Sequence, residues 1–195
     1  MILWNTIREK MLEYPNQKIC EGNAQMTYED VVIYAELLSE RIKGEKCCAI
    51  LCGSEMAAAM ALLGCFAADV TAVPLSTRYG REHCRKIVDK ISPTAIITDV
   101  DHMLRILHVK DAIYEEPSCL PKLIMCTSGT TGTPKGAMLT EENILTNVED
   151  IGRYFDINEH DTILISRPLY HCAVLTGEFL CALCKGTRIR FCSEP

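Results

Sequence analysis

The chain has 195 residues, of which 48% are hydrophobic and 24% are charged, and its net charge is −6 at pH 7. This composition is ordinary for a globular protein, and a chain of this length can bury a substantial core. An acidic balance lacks the basic surface that nucleic-acid binding requires, so we expect no nucleic-acid partner. An anionic ligand would have to be recognised by local groups rather than by the overall charge.

The sequence shows no signal for export or for membrane insertion. Its first residues, MILWNTIREKMLEYP, do not match the basic start, long apolar core and cleavage site of a secretory signal. Residues 56–68 are the most apolar later stretch, which is too short to span a membrane and predicts a buried helix. We therefore expect a cytoplasmic protein whose 12 cysteines are mostly reduced thiols packed as small hydrophobic residues.

One cysteine pair has a spacing that metal sites use. Cys181 and Cys184 are three residues apart in an apolar stretch with helical character. A zinc site needs a second pair of ligands, and the sequence offers only Cys172, Cys192 and His171 at scattered positions. We therefore predict that the pair packs in the core and holds no metal.

Two amphipathic helices are predicted at the start of the chain. Residues 27–42 form the second of them, with Thr27 as the candidate N-cap and Glu29 and Asp30 in the first turn. The first covers residues 2–14, where apolar side chains recur at helical spacing at Ile2, Leu3, Ile7, Met11 and Leu12.

From residue 46 onward, short apolar strands alternate with longer helices. Repeated strand–helix–strand units imply right-handed crossovers, so we predict an α/β fold with a mainly parallel sheet and helices on both faces. An exposed loop is predicted at residues 111–121. The predicted strands are residues 47–52, 71–75, 94–99 and 123–126, and the predicted helices are residues 55–68, 81–91, 100–108 and 141–154.

A stretch rich in hydroxyl groups and glycine stands out at residues 123–140, which read LIMCTSGTTGTPKGAMLT. Its hydroxyls can donate to phosphate oxygens, its glycines let an anion approach the backbone amides, and its lysine adds positive charge. It is not a Walker loop, because Pro134 and Gly136 stand where that loop needs a glycine and a hydroxyl. The flanking apolar runs favour a phosphate-binding loop between two strands, and the alternative is a hairpin without a ligand.

Residues 127–136 resemble, without a departure, the phosphate-loop signature of the adenylate-forming enzymes, which include acyl-CoA synthetases, peptide-synthetase adenylation domains and luciferases. The resemblance implies that the loop binds ATP with Mg²⁺, and that a small carboxylic acid is joined to AMP and then passed to the thiol of CoA or of a carrier protein. The implied nucleotide-binding residues are Thr127, Ser128, Gly129, Thr130, Thr131, Gly132, Thr133, Lys135 and Gly136.

A second stretch, ILISRPLYH at residues 163–171, resembles the family's block of strand, proline and histidine. In acyl-CoA synthetases the histidine borders the carboxylate pocket, so the resemblance implies that His171 orients or gates the acid. On chemistry alone, a histidine beside apolar residues is also explained as a hydrogen-bonded core residue. His171 is therefore the candidate catalytic residue, with that structural interpretation beside it.

The resemblance covers nearly all of the chain but only about the first third of such an enzyme. Residues 1–195 are therefore expected to be a truncated N-terminal subdomain of an AMP-forming carboxylate ligase, most similar to an acyl-CoA synthetase, inactive without the remainder of the parent enzyme. Two alternatives stay open at this point. One is a piece of a peptide-synthetase adenylation domain, and the other is a non-catalytic module that binds a phosphate compound, a nucleotide or a protein.

Overall fold

The computed structural model describes residues 1–101, 103–127 and 135–192, apart from the side chains of Tyr79 and Thr127. The helices are α1 (Ile2–Glu13), α2 (Tyr28–Arg41), α3 (Glu55–Ala67), α4 (Arg81–Ile91), α5 (Glu141–Tyr154) and α6 (Cys181–Lys185), with a 3-10 turn at Thr77–Tyr79 and a π-helix at Ala173–Leu180. The strands are β1 (Lys18–Glu21), β2 (Ala24–Thr27), β3 (Cys47–Leu51), β4 (Thr71–Pro74), β5 (Ala95–Val100), β6 (Met103–His108), β7 (Leu123–Thr127), β8 (Lys135–Leu139), β9 (Thr162–Ile165) and β10 (Arg188–Phe191).

These strands form two sheets. The larger has the order β6-β5-β3-β4-β7-β8, in which β5, β3, β4 and β7 are parallel and the two outer strands are antiparallel to their neighbours. The smaller has the order β2-β1-β10-β9, with β1, β10 and β9 parallel. Parallel pairing therefore dominates the centre of both sheets, as predicted for an α/β fold.

Helices cover both faces of the six-stranded sheet. On β3, Cys48 and Ile50 face the main core, which includes the buried sides of α2 and α3, while Cys47 and Ala49 face a second cluster with Ile87 of α4. The apolar helix α3 also contacts β1 of the smaller sheet, so it lies between the two sheets. The prediction of helices on both faces is confirmed.

The predicted helix at residues 100–108 is wrong, because this segment contains the edge strand β6. Asp101 has φ of 51°, and the turn there reverses the chain so that β6 pairs antiparallel with β5. Leu104 is buried and Met103 and Leu107 are exposed, which is the two-residue alternation of a strand. Its apolar residues fit helical spacing as well, so over so short a stretch the pattern alone could not decide.

The helix starts agree with the sequence patterns. Thr27 caps α2 in a reciprocal capping box with Asp30, and Thr140 caps α5 in the same way with Asn143. In α1 the buried face consists of Leu3, Trp4, Ile7 and Met11, whereas Ile2 and Leu12, two of the apolar residues at the predicted helical spacing, are exposed.

The remaining predictions concern cysteines and one loop. All twelve cysteines are free thiols, and Cys181 is buried in the core as predicted. Burial, with a smaller contribution from Cys181, raises the pKa of the Cys184 thiol to about 12.

Residues 111–121, the predicted exposed loop, contain no helix or strand and are mostly exposed. None of the helices in the described part of the chain is long and apolar enough to cross a membrane.

Candidate functional site

The predicted phosphate loop lies between two antiparallel strands. β7 ends at Thr127 and β8 begins at Lys135, and the register places these two residues opposite each other. The strand–loop–strand arrangement that the apolar runs predicted is therefore confirmed. The implied nucleotide-binding residues at positions 128–133, namely Ser128, Gly129, Thr130, Thr131, Gly132 and Thr133, lie outside the described residues, as does Pro134.

Lys135 and Gly136, the two residues of β8 that the resemblance implies for nucleotide binding, have different surroundings. Lys135 is exposed at the start of the strand. Gly136 lies against β7, where a Cβ would come within 2.7 Å of Cγ2 of Ile124. A real Cβ does not approach another carbon so closely, so glycine at this position allows the two strands of the hairpin to pack. The sequence predicted that Gly136 lets a phosphate group approach the backbone. The structure adds that a glycine is needed here for the two strands to pack.

The end of the hairpin at which Thr127 pairs with Lys135 lies at the side of the sheet where the parallel strands β4 and β7 end. β7 lies beside β4 in parallel, with Leu123 opposite Ala72, so the carboxyl ends of both strands lie at the same edge. β4 is followed by Ser76, whose side chain accepts a hydrogen bond of 3.1 Å from the backbone N–H of Arg78. Ligands of open α/β sheets bind at this edge. The chain thus places the hydroxyl of Ser76 and the residue Arg78 just beyond the carboxyl end of β4, the strand beside β7.

The second candidate, His171, follows a turn that reaches the same edge. Its backbone N–H donates to the carbonyl of Pro168 at 3.1 Å, and its ring lies 4.3 Å from that of Tyr170 between centroids. Pro168 and Tyr170 line a narrow cleft together with Ser76 and Arg78. His171 itself is exposed, so the interpretation as a buried core histidine is wrong. The structure brings the segment of His171 and the end of β4 together.

A third group of residues at this edge was missed by sequence reasoning. We call residues 53–56, which start α3, the α3 junction. Glu21, the last residue of β1, accepts hydrogen bonds from the side chain of Ser54 and from the backbone N–H groups of Glu55 and Met56, the latter two at 3.1 Å. Glu21 therefore satisfies amides at the N-terminus of α3, where a carboxylate also interacts favourably with the helix dipole.

Two more carboxylates fix the α3 junction to its surroundings. Asp99, near the end of β5, accepts a hydrogen bond of 2.6 Å from the backbone N–H of Gly53. Glu55 accepts one of 2.9 Å from the backbone N–H of Leu169, in the turn before His171. The junction thus connects both sheets with the segment of His171. The feature of the junction that its neighbouring residues indicate in the sequence is Ser54, the N-cap of α3. Its side chain accepts a hydrogen bond of 3.1 Å from the backbone N–H of Ala57.

The thiols near this edge are poor nucleophiles at neutral pH. Burial, with the negative charges of Asp99 and Glu55, raises the pKa of the Cys52 thiol to about 12. Burial also raises the pKa of Cys84, and the pKa of Cys126 in β7. Because the thiolate is the reactive form, these three cysteines do not suit covalent catalysis.

A larger cleft of about 500 Å³ lies on the other side of the hairpin. It is bounded by the end of α4, by residues 113–117 and by both strands of the hairpin, including Cys126 and Lys135. In the parts of the chain that the structure describes, no group of three or more histidine, cysteine or acidic side chains could hold a metal ion.

Comparison with known proteins agrees with this arrangement. A model of the family described as "AMP-binding enzyme" matches residues 7–122 and 120–195. The chain is 32% identical to a feruloyl-CoA synthase of Amycolatopsis sp. over an alignment of 143 residues, which covers 64% of this chain and 29% of that protein. It is 47% identical over 51 residues to a sulfoacetate–CoA ligase of Cupriavidus necator, covering 26% of this chain and 10% of that protein. The chain therefore spans less than a third of the length of these relatives.

Solved structures share the fold. The fatty acid AMP ligase of Legionella pneumophila superposes with a TM-score of 0.82 at 22% identity, over 98% of this chain and 39% of that one. MatB of Rhodopseudomonas palustris with ATP bound superposes with a TM-score of 0.79 at 17% identity, over 95% of this chain and 44% of that one. The match of the family model to both halves of the sequence decides the assignment: the chain belongs to the AMP-binding enzyme family.

Proposed function

We propose that the protein carrying this sequence activates a carboxylic acid with ATP, forming an acyl-adenylate and pyrophosphate, and then transfers the acyl group to the thiol of coenzyme A. Membership of the AMP-binding family supports the nucleotide part of this proposal. The acceptor is inferred from relatives named as CoA ligases and CoA synthases. The acid is left at the level of its class, a small carboxylate.

One observation carries the proposal. The antiparallel register of Thr127 and Lys135 closes the hydroxyl-rich loop at the edge where β4 and β7 both end. This is the place where an open α/β sheet binds its ligand, and the composition of the loop suits an anion. The same edge holds the segment of His171, so a phosphate group and a carboxylic acid could be bound as neighbours there.

In this proposal Lys135 and the loop residues bind and orient the leaving phosphates. His171, which follows the residues Pro168 and Tyr170 that line the narrow cleft, orients the acid. Attack of a carboxylate oxygen on the α-phosphorus forms the acyl–phosphate bond and breaks the bond to the pyrophosphate oxygen. Positioning and electrostatic stabilisation supply most of the rate in such transfers. Mg²⁺ would be held mainly by the phosphates of ATP and by water, which is its usual coordination in nucleotide enzymes, and would neutralise phosphate charge.

The test is carboxylate-dependent exchange of labelled pyrophosphate into ATP, measured on the natural protein that carries this sequence. We expect exchange that requires both Mg²⁺ and an acid, and that falls in a Lys135→Ala variant. Lys43→Ala is the matched control, since Lys43 is an exposed lysine paired with Glu40 on the surface, 3.3 Å apart. Absence of exchange with a broad panel of acids, or equal exchange in both variants, would contradict the proposal.

A further inference from the structure

The turn that leads to His171 is held from several sides. We call residues 167–171 the His171 turn. Leu169 places its side chain in the main core, where it is 2% exposed. Arg167 at the start of the turn pairs with Glu178 at 2.7 Å. The amide of His171 donates back to Pro168, which closes the turn. What remains is the backbone N–H of Leu169, a partly buried donor that needs an acceptor.

Glu55 supplies that acceptor from the first position of α3. Its Oε2 lies 2.9 Å from the backbone nitrogen of Leu169, although the two residues are 114 positions apart in the sequence. Glu55 is itself fixed, because its own backbone N–H donates to Oε1 of Glu21 at 3.1 Å. The N-terminal end of the helix dipole stabilises a carboxylate at this position. A rigid helix terminus therefore presents the carboxylate to the turn.

We propose that Glu55 is a positioning residue for the candidate site: its carboxylate holds the amide of Leu169 and so sets the positions of Tyr170, which lines the cleft, and of His171, which follows it. The functional part of this inference rests on the proposed role of His171 towards the acid. Glu55 lines the same cleft as Tyr170, so loss of the bond would let the turn move at the place where the acid is expected. The effect reaches substrate only through the turn, so Glu55 is not assigned to the reaction itself.

The direct test is hydrogen exchange of individual amides, followed by NMR on this chain. In Glu55→Ala, which removes the acceptor, we expect the amide of Leu169 to exchange at least about 10-fold faster, as loss of one charge-assisted hydrogen bond implies. In Glu55→Gln, whose side-chain oxygen can still accept, exchange should stay close to wild type. Glu82→Ala is the control, since Glu82 is an acidic residue of the first turn of α4 that pairs with Lys86.

Three results would overturn the proposal. The first is unchanged exchange at Leu169 in Glu55→Ala. The second is equal acceleration in Glu55→Ala and Glu55→Gln, which would assign the effect to charge rather than to the hydrogen bond. The third is acceleration in α3 amides such as that of Met60 by as much as at Leu169, which would mean that the helix terminus unfolds and that no specific contact is involved.

The functional part is tested by steady-state pyrophosphate exchange on the natural protein. We expect Glu55→Ala to raise KM for the acid by about 10-fold with KM for ATP unchanged, and Glu55→Gln to restore it. An unchanged KM for the acid would overturn the positioning role. If the wild-type protein shows no exchange at all, the proposed function fails, whereas the amide measurements still decide whether Glu55 holds the turn.

Discussion

The α3 junction and the hairpin of β7 and β8 lie at the same edge of the six-stranded sheet, but they are built differently. The junction is fixed by three carboxylates that connect distant parts of the chain. Those of Glu21 and Asp99 belong to the strands β1 and β5, and that of Glu55 binds the amide of Leu169. The hairpin is defined by neighbouring residues, and the first four residues of β8 are exposed. Long-range contacts thus provide a rigid support, while the groups that we propose bind the ligand flank and belong to a segment defined by local contacts.

If this division holds, changes in the junction should affect stability, and changes of exposed side chains in the hairpin should affect ligand binding. The largest expected effect is that of Glu21→Ala, which removes three hydrogen bonds from the start of α3. We expect the free energy of unfolding, measured by urea denaturation, to fall by about 3 kcal/mol. Glu21→Gln keeps one acceptor oxygen and should lose less. If the free energy of unfolding of Glu21→Ala changes by less than about 0.5 kcal/mol, the junction does not stabilise the protein as proposed.

The second prediction concerns Lys135 on the hairpin. Because this side chain is exposed, Lys135→Ala should change the free energy of unfolding by less than about 0.5 kcal/mol. Loss of one charge-assisted contact to phosphate should slow adenylate formation by roughly 10- to 100-fold. Both quantities are measured on the same preparation. A variant that loses stability in proportion to activity would show that the hairpin is structural, contrary to the comparison.

The third prediction tests how tightly the two hairpin strands pack. Gly136→Ala places a Cβ against Ile124, so we expect it to lower the free energy of unfolding by about 1–2 kcal/mol. In an Ile124→Ala background the same change should cost less, because the opposing methyl group is gone. A double-mutant cycle measures this coupling. Additive effects would show that the two residues do not touch.

The smallest effect is a pH dependence at the junction. The thiol of Cys52 has a pKa raised to about 12 by burial and by the charges of Asp99 and Glu55, so its alkylation should be slow at pH 8 and should keep accelerating above pH 9. Asp99→Asn keeps an acceptor for Gly53 but removes one negative charge. It should therefore lower the pKa of Cys52 and speed alkylation at pH 8 by a few-fold.

The measurement is mass spectrometry of the peptide that contains Cys52, with the peptide of the exposed Cys192 as the internal control. Slower alkylation of Cys52 in the variant would have the wrong sign and would contradict the placement of Asp99 beside the thiol.

The hairpin could be predicted from the sequence, whereas the α3 junction could not. The phosphate loop and its flanking strands were predicted because their signal lies within 18 consecutive residues. The junction was not, because Glu21 and Ser54 are 33 positions apart and Glu55 and Leu169 are 114 apart. A single sequence gives no sign that such distant residues meet.

The strands show the same limit. β1 and β2 are four residues long, read KICE and AQMT, and have too few apolar positions to be recognised. The second sheet was therefore missed, although β10 closes it by pairing with β1 and β9. The segment of β6 was assigned to a helix because spacing in so short a stretch fits both periods. Strands buried on both faces, such as β3, were predicted because a continuous apolar run is typical of them.

The central claim is that this chain carries the phosphate-binding part of an AMP-binding enzyme. The most direct test is a calorimetric titration of the 195-residue chain with Mg²⁺–ATP, beside a variant with Gly132→Val and Lys135→Ala. We predict binding by the wild-type chain that is lost in the variant, while both unfold at similar urea concentrations. Equal binding by both, or no binding by either, would contradict the claim.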